Sequence, residues 1–594
     1  MRDMDWDWNH EKAQLRKKEM ESAILIPTIH FFDHPEQFGL QDRQEQTMLS
    51  VDIAEAITMN QHVMVEAGIG IGKSFAYLIP ALFAVKNLNQ SVVIATASQV
   101  LAEQLIGDAE QVKILTGVRT PQITLLTEET ADVTCDARII ITSQEFLMKN
   151  LLRKSIERQG FIKDNTMLYI IDEAHQLEEQ ARTALTERWT LKGIKKIEAA
   201  LQKVIPRNPQ RKEQIENLRK IGDYRRQFFS EAAEHIQHLQ ISKGKHGNSR
   251  KLWLPKKGIV NYTDWAKQLD NVIAAVPLEE QKDEILELPQ FIRRLRQYTN
   301  SSYLVWLEGN LDDQNALSVC TAPKMMNNEI EKILFGQSIP VILISETLCT
   351  RQGTNKEMYR YYAESIGFPD DNREFFDVQP SLFDYEKNSI VYIPDDLPLS
   401  DEKSHHTVYL EAISDRIAEL IILSQGKTLI LFTDQKDLQD VYDLLKIKDL
   451  DYQLVRAEGP LQQEVVEEFK VSQGVLLAAD PYWEEFSLSG FELSSLIIVQ
   501  LPFPGFDPII DYKISQADDA KEILFPEMLI KLRQGTGRLI QRETDSGALS
   551  ILDARMSDAL KYSYKEDILQ ALLIKNRVSQ LHEVEKFLQK KVKK

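Results

Sequence analysis

A chain of 594 residues with a formal net charge of −19 is long enough for about two to four domains, each able to bury its own core. The acidic balance argues at face value against a polyanionic partner, although nucleic acid responds to local patches rather than to the sum. Cys135, Cys320 and Cys349 lie too far apart for a disulfide framework or a metal-ligand spacing. The N-terminus is charged from Arg2 and Asp3, and no apolar run approaches bilayer length. These features exclude a secreted disulfide scaffold and a membrane-spanning protein, and the expectation is a soluble, cytoplasmic one.

In chain order, residues 1–34 mix tryptophan, charge and a short apolar run from Ala23 to Ile29, which reads as a docking arm. Arg43-Gln44-Glu45-Gln46 precedes an amphipathic segment to Ile57. A glutamine such as Gln46 beside a basic residue suits recognition of an adenine base, and equally suits a surface helix cap.

The next stretch, Val63-Met64-Val65-Glu66-Ala67-Gly68-Ile69-Gly70-Ile71-Gly72-Lys73-Ser74, feeds short apolar residues into a glycine-rich turn. Phe75 to Val85 follows as a helix-like run. Backbone N–H groups of Ala67, Gly68, Gly70 and Gly72, backed by the positive end of that helix, make a phosphate cradle. Lys73 then reaches the outer phosphates and the Ser74 hydroxyl ligates Mg²⁺. A chance glycine-rich turn is the competing reading, and a second motif decides against it.

Ser91 to Ala95 predicts a buried strand leaving through Thr96-Ala97-Ser98-Gln99, and Ala137 to Ile141 predicts another leading into Thr142-Ser143-Gln144. The second motif is Leu168-Tyr169-Ile170-Ile171-Asp172-Glu173-Ala174-His175. An apolar run reading as a parallel strand ends on adjacent carboxylates. Beside a phosphate loop, Asp172 can hold the water shell of Mg²⁺ and Glu173 can act as general base on an attacking water. A strand ending in solvated acids is the bland alternative. Together the motifs read as a nucleoside triphosphatase.

From about Gln180 to Asp313 strand signals vanish and long charged stretches such as Ile215 to His238 predict a helical insertion. Lys243, Lys245, Arg250, Lys251, Lys256 and Lys257 surround Trp253 there, a pattern that suits single-stranded nucleic acid or a solvated loop. Strand signals return at Ser318 to Thr321 and at Pro340 to Ile344, which leads into Ser345-Glu346-Thr347. A second α/β half follows, with strands at Thr428 to Phe432, Gly474 to Ala478 and Ser495 to Leu501. It has no phosphate loop but carries Gln534-Gly535-Thr536-Gly537-Arg538-Leu539-Ile540-Gln541-Arg542, and the chain closes on a Lys-rich helix.

These motifs, with Thr321-Ala322-Pro323, Phe383-Asp384-Tyr385, Leu431-Phe432-Thr433, Trp483-Glu484 and Leu501-Pro502-Phe503-Pro504, resemble the DinG branch of the XPD-type helicases of superfamily 2 from about residue 38 to 575. The resemblance implies an α/β fold: two RecA-like, doubly wound parallel-sheet domains with an arch-like helical insertion in the first. The expected boundaries are an arm at 1–34, the first domain at 35–180 and 318–360, the insertion at 181–317 and the second domain at 361–594. It implies an ATP-dependent helicase moving 5′ to 3′ on single-stranded or forked DNA, with ATP and Mg²⁺ between the domains. Gln534 and Arg538 complete the catalytic set with Asp172 and Glu173.

Four departures stand out. The family often carries four cysteines between the Thr96 and Asp172 segments, whereas only Cys135 falls there, so no iron–sulfur cluster is expected. Glu346 stands where the family has alanine in Ser-Ala-Thr. Glu485 and Ser487 replace a glycine and an acid, and Gln541 replaces the last arginine of the Gln-x-x-Gly-Arg-x-x-Arg motif. On a continuing helix Arg542 is rotated by about 100° from position 541, which predicts slowed hydrolysis. A DNA-binding scaffold gated by ATP is therefore the alternative to a helicase, and an RNA-directed ATPase is a third reading.

Overall fold

The computed structural model describes residues 14–118, 122–130, 137–157, 162, 165–242, 251–254, 259–281, 283–296, 302–309, 317–398, 403–457, 462–479, 482–483, 488, 491–505, 507–556 and 564–592. Short apolar runs become β1 (His62–Glu66), β2 (Ser91–Thr96), β3 (Ile123–Leu125), β4 (Ile139–Ser143) and β5 (Thr166–Asp172). An insertion then contributes β6 (Glu187–Thr190), β7 (Lys251–Trp253), β8 (Tyr303–Glu308) and β9 (Ser318–Pro323), after which come β10 (Val341–Ser345) and β11 (Arg373–Phe375).

The first sheet runs β11-β1-β10-β5-β2-β4-β3, and all its pairings are parallel. β1 and β2 are buried along their whole length. Burial on both faces is why these strands read as continuous apolar runs rather than as alternation. Parallel pairing also brings the carboxyl ends of β1, β10 and β5 to one edge, so Glu66, Ser345 and Asp172 become neighbours. The short apolar run at the N-terminus packs into this domain: Ala23, Ile24, Phe31 and Phe32 join its core.

The second half forms β12 (Ser389–Tyr392), β13 (Thr428–Leu431), β14 (Leu454–Arg456), β15 (Val475–Ala478), β16 (Ser495–Ile498), β17 (Gly547–Ile551) and β18 (Arg577–Val578). They order as β14-β15-β13-β16-β17-β12-β18, again all parallel. Leu429 and Leu431 enter one core, Ile430 and Phe432 the opposite one, as a period of two requires. Each such fully buried side chain contributes about 1.5–3 kcal/mol. The expected pair of parallel-sheet domains is therefore present.

By internal contacts the chain divides into two compact units, 1–181 with 330–503 and 525–594, and 182–329 with 504–524. The first holds both parallel sheets. The second differs from the all-helical expectation, because β6, β9, β8 and β7 form an antiparallel sheet. Val305, Leu307 and Val319 face helices carrying Phe228, Trp265 and Phe291, while Leu304, Trp306, Cys320 and Ala322 face Ile509. A short strand apolar on both faces, such as β8, shows no alternation in its sequence. The strand expected to open the return to the first domain at 318 is β9, so this unit keeps the chain to Glu329.

Of the basic segment, Lys251 and Trp253 are described. Lys251 Nζ lies 2.9 Å from Asp507 Oδ2, and Trp253 Nε1 donates to Asp511 Oδ2 at 3.2 Å. Lys243, Lys245, Arg250, Lys256 and Lys257 lie outside the described residues, as do Cys135, Glu484, Glu485 and Ser487. Among the described residues no helix is long and apolar enough to cross a membrane.

Candidate active site

The glycine-rich turn leaves β1 and enters the helix Lys73–Leu88. Ala67 N donates to Ser345 O and Gly68 N to Gln379 O, both at 2.9 Å, which ties the start of the loop to the sheet edge. Gly70 and Gly72 adopt φ of 88° and 86°, left-handed conformations that side chains disfavour. A Cβ on Gly70 would come within 2.6 Å of Phe383 Cζ, and one on Gly72 would run into Gln46. Gln46 Nε2 donates to Gly72 O at 3.0 Å and Arg43 Nη1 to Gly70 O at 2.8 Å. Gln46 thus braces the loop. Beside it an open surface groove is lined by Gln41, Arg43, Leu382 and Glu543 among others.

Gly72→Ala is accordingly expected to cost about 1–2 kcal/mol, from the left-handed backbone alone. It also displaces Gln46 from the loop. Thermal unfolding together with nucleotide binding checks this, and a parent-like result in both would show that the loop tolerates another shape.

At the same edge Lys73 Nζ lies 3.4 Å from Glu173 Oε1 and 2.9 Å from Glu346 Oε1. Burial alone would lower the Lys73 pKa, but Glu173, Glu346 and Asp172 outweigh it and hold the ammonium above its usual range. Asp172 is pushed up to about 7, by burial first and then by the Glu173 charge, against the pull of Lys73. A carboxyl short of positive charge is what a divalent cation relieves, so Asp172, with Ser74 at the head of the helix, fits Mg²⁺. Burial, then the Asp172 charge, pushes the Tyr77 phenol well above its usual range.

Glu173 itself sits in the left-handed region at φ 50°, which turns the chain sharply after β5. Gln144 Nε2 donates to Asp172 O at 2.7 Å and Glu173 O at 3.1 Å, bracing that turn. His175 Nδ1 lies 2.7 Å from Ser345 Oγ. Burial, reinforced by Lys73, drops its pKa to about 3, so the ring is neutral.

The second sheet's domain reaches this edge through the helix Lys521–Thr536. Gln534 Nε2 donates to Thr347 Oγ1 at 3.3 Å, while its buried Oε1 has no hydrogen-bond partner in the protein, an acceptor suited to a water or ligand donor. Arg538 turns inward instead: its Nη1 donates to Trp483 O and, at 3.1 Å, to Gln534 O. The helix ends at Thr536, so positions 541 and 542 lie beyond it and the rotation argument for Arg542 does not hold. Arg542 is engaged elsewhere, with Nε 2.9 Å from Asp545 Oδ1.

The residue that crosses most firmly between the domains was not singled out by sequence. Arg533 pairs with Glu66 through Nη1–Oε2 at 3.1 Å and Nη2–Oε1 at 2.7 Å, and Nη1 also donates to Cys349 O at 2.9 Å. Glu66 Oε2 accepts from the backbone N–H groups of Leu348 and Cys349, each at 2.7 Å. Its one sequence signal is adjacency: Arg533 precedes Gln534. The structure thus gathers Ala67 to Ser74, Asp172, Glu173 and Gln534 at one edge, braced by Gln46, and leaves Arg538 bonded to its own domain.

Known proteins match this arrangement. Residues 47–205 match the DEAD/DEAH box helicase family, and residues 417–573 match the helicase C-terminal domain family. The chain is 23% identical over 649 residues to the ATP-dependent DNA helicase YoaA of Haemophilus influenzae, covering 93% of this chain and 97% of the relative. It is 22% identical over 665 residues to the 3′-5′ exonuclease DinG of Bacillus subtilis, covering 88% of this chain and 69% of the relative. The S. tokodaii Xpd4 structure superposes with a TM-score of 0.59 at 17% identity, over 90% of this chain and 100% of that one.

Proposed function

The chain belongs to the DinG- and YoaA-like, XPD-type helicases of superfamily 2, and on that premise we propose that it is an ATP-dependent DNA helicase. It works in the cytoplasm, moves 5′ to 3′ on single-stranded or forked DNA, and carries no iron–sulfur cluster. The observation that carries the reading is Lys73 set 3.4 Å from Glu173 at an edge that Gln534 of the other domain also reaches.

In this reading the loop from Ala67 to Gly72 wraps the phosphates, with Gln46 holding its shape, and Lys73 draws the terminal phosphates toward the acids. Ser74 and Asp172 hold Mg²⁺, which when bound neutralises charge developing on the transferred phosphoryl group. Glu173 takes the proton of the attacking water. Gln534 orients groups at the far side, and Arg538 joins the site by leaving its carbonyl partners. ATP turnover measured with and without single-stranded DNA, or RNA, tests the activity. Displacement from duplexes with a 5′ or a 3′ tail tests polarity, and displacement from the 3′ tail alone would reverse it.

Binding of single strands should fall steeply as salt rises, because an acidic protein must hold phosphates through a lined channel of local positive charge. A flat salt dependence would point away from phosphate contacts. A second reading, an ATP-gated DNA-binding scaffold, is favoured by Arg538 bonding inward and by Gln541 in place of an arginine. Two variants bear on this: under the scaffold reading Gln541→Arg should speed hydrolysis at least about tenfold, whereas Arg542→Ala should change it little because that guanidinium serves Asp545. Brisk parent turnover abolished by Arg542→Ala would make Arg542 the phosphate-facing arginine.

A further inference from the structure

We propose that Glu346 is a built-in competitor of the nucleotide's terminal phosphates: its carboxylate occupies Lys73 in the free protein and is displaced when a nucleoside triphosphate binds. The inference rests on Lys73 being the phosphate-binding lysine of the reading above.

The geometry follows from the sheet. β10 lies between β1 and β5, with Ser345 paired to Glu66 and Ile344 to Asp172. The residue after Ser345 therefore emerges between the phosphate loop and the acids. Glu346 Oε1 is 2.9 Å from Lys73 Nζ, closer than the 3.4 Å of Glu173, so the ammonium's shortest ion pair is with this residue.

The backbone around Glu346 is held by its neighbours, independently of the side chain, which pairs with Lys73. Arg533 Nη2 donates to Glu346 O at 3.4 Å, and the next N–H groups are engaged by Ser345 Oγ and Glu66 Oε2. The Glu346 side chain is 37% exposed against 13% for Lys73. It can swing to water without disturbing the loop. The phosphate-loop lysine serves the outer phosphates, so an anion resting on it opposes the triphosphate most and the monophosphate least. Where the family pattern has alanine, that position supplies no anion. Glu346 thus sets a threshold that selects for ligands with enough phosphate charge to take Lys73 from it.

The test is equilibrium binding of a fluorescent ATP analogue with Mg²⁺, competed by ATP, ADP and AMP, in the parent, Glu346→Gln, Glu346→Ala and Lys73→Ala proteins, each checked for parent-like thermal unfolding. Both Glu346 variants should bind ATP about tenfold more tightly, an effect between those of exposed and buried ion pairs. The gain should shrink for ADP and vanish for AMP. Unchanged or weaker ATP binding in both, or an equal gain for AMP, overturns the proposal. If Lys73→Ala binds ATP as the parent does, the nucleotide-site reading itself fails; if Lys73→Ala loses ATP and the Glu346 variants show no gain, only the competitor role fails.

Discussion

Changing Glu173 to Gln is expected to cut ATP hydrolysis by about 10³-fold while leaving ATP bound, because a positioned general base contributes about 10²- to 10⁴-fold. The amide keeps the shape of the side chain and loses the proton acceptor. Glu173 is held for that task by the left-handed turn at its own backbone and by Gln144 beneath it. Its removal does not strand Lys73, since Glu346 remains at 2.9 Å. Lys73→Ala should differ in kind, losing binding along with turnover, because the ammonium meets the phosphates in ground and transition states alike. Single-turnover hydrolysis and equilibrium binding separate these effects. A Glu173→Gln protein that hydrolyses ATP at the parent rate would put the base elsewhere.

Arg533→Ala is expected to destabilise the unit holding both parallel sheets by about 3 kcal/mol, the lower end for breaking a buried ion pair by removing one partner. Glu66 is only 5% exposed, so the substitution leaves its carboxylate in the interior. The lower figure applies because Leu348 and Cys349 still donate to it. Glu66→Gln should be costly for the mirror reason, leaving the Arg533 guanidinium, 13% exposed, with its carbonyl partners alone. The double variant Glu66→Gln with Arg533→Met should recover much of the loss, because it leaves neither charge buried. Chemical unfolding of the four proteins measures the coupling. If the single effects simply add, the pair carries no interaction of its own. Because Glu66 ends the strand that feeds the phosphate loop and Arg533 precedes Gln534, the same variants should also loosen the link between the domains during turnover.

How much of this was legible in the residues follows from distance along the chain. The phosphate loop and the acids at 172 and 173 are local patterns: a strand, a turn, and side chains within a few positions of both. Neighbouring residues dictate such geometry, so Gly70 and Gly72 have the positive φ that their motif demands. Two parallel sheets were legible for a similar reason, since strands buried on both faces announce themselves as apolar runs. Gln534 could be named because the short motif it opens resembles that of the helicase family.

Other features were decided only by the tertiary structure. The antiparallel sheet of the insertion, with residues 504–524 packed in the same unit, joins segments that no local pattern connects. Arg542 owes its role to Asp545 and to the helix ending at Thr536, not to a helical spacing. Glu66 and Arg533 stand 467 positions apart, and Glu346 meets Lys73 only because β10 inserts between β1 and β5. Local propensity sets which residues form strands and turns, but parallel crossovers choose which strand ends share an edge, and charges at a shared edge find their partners only after that choice is made.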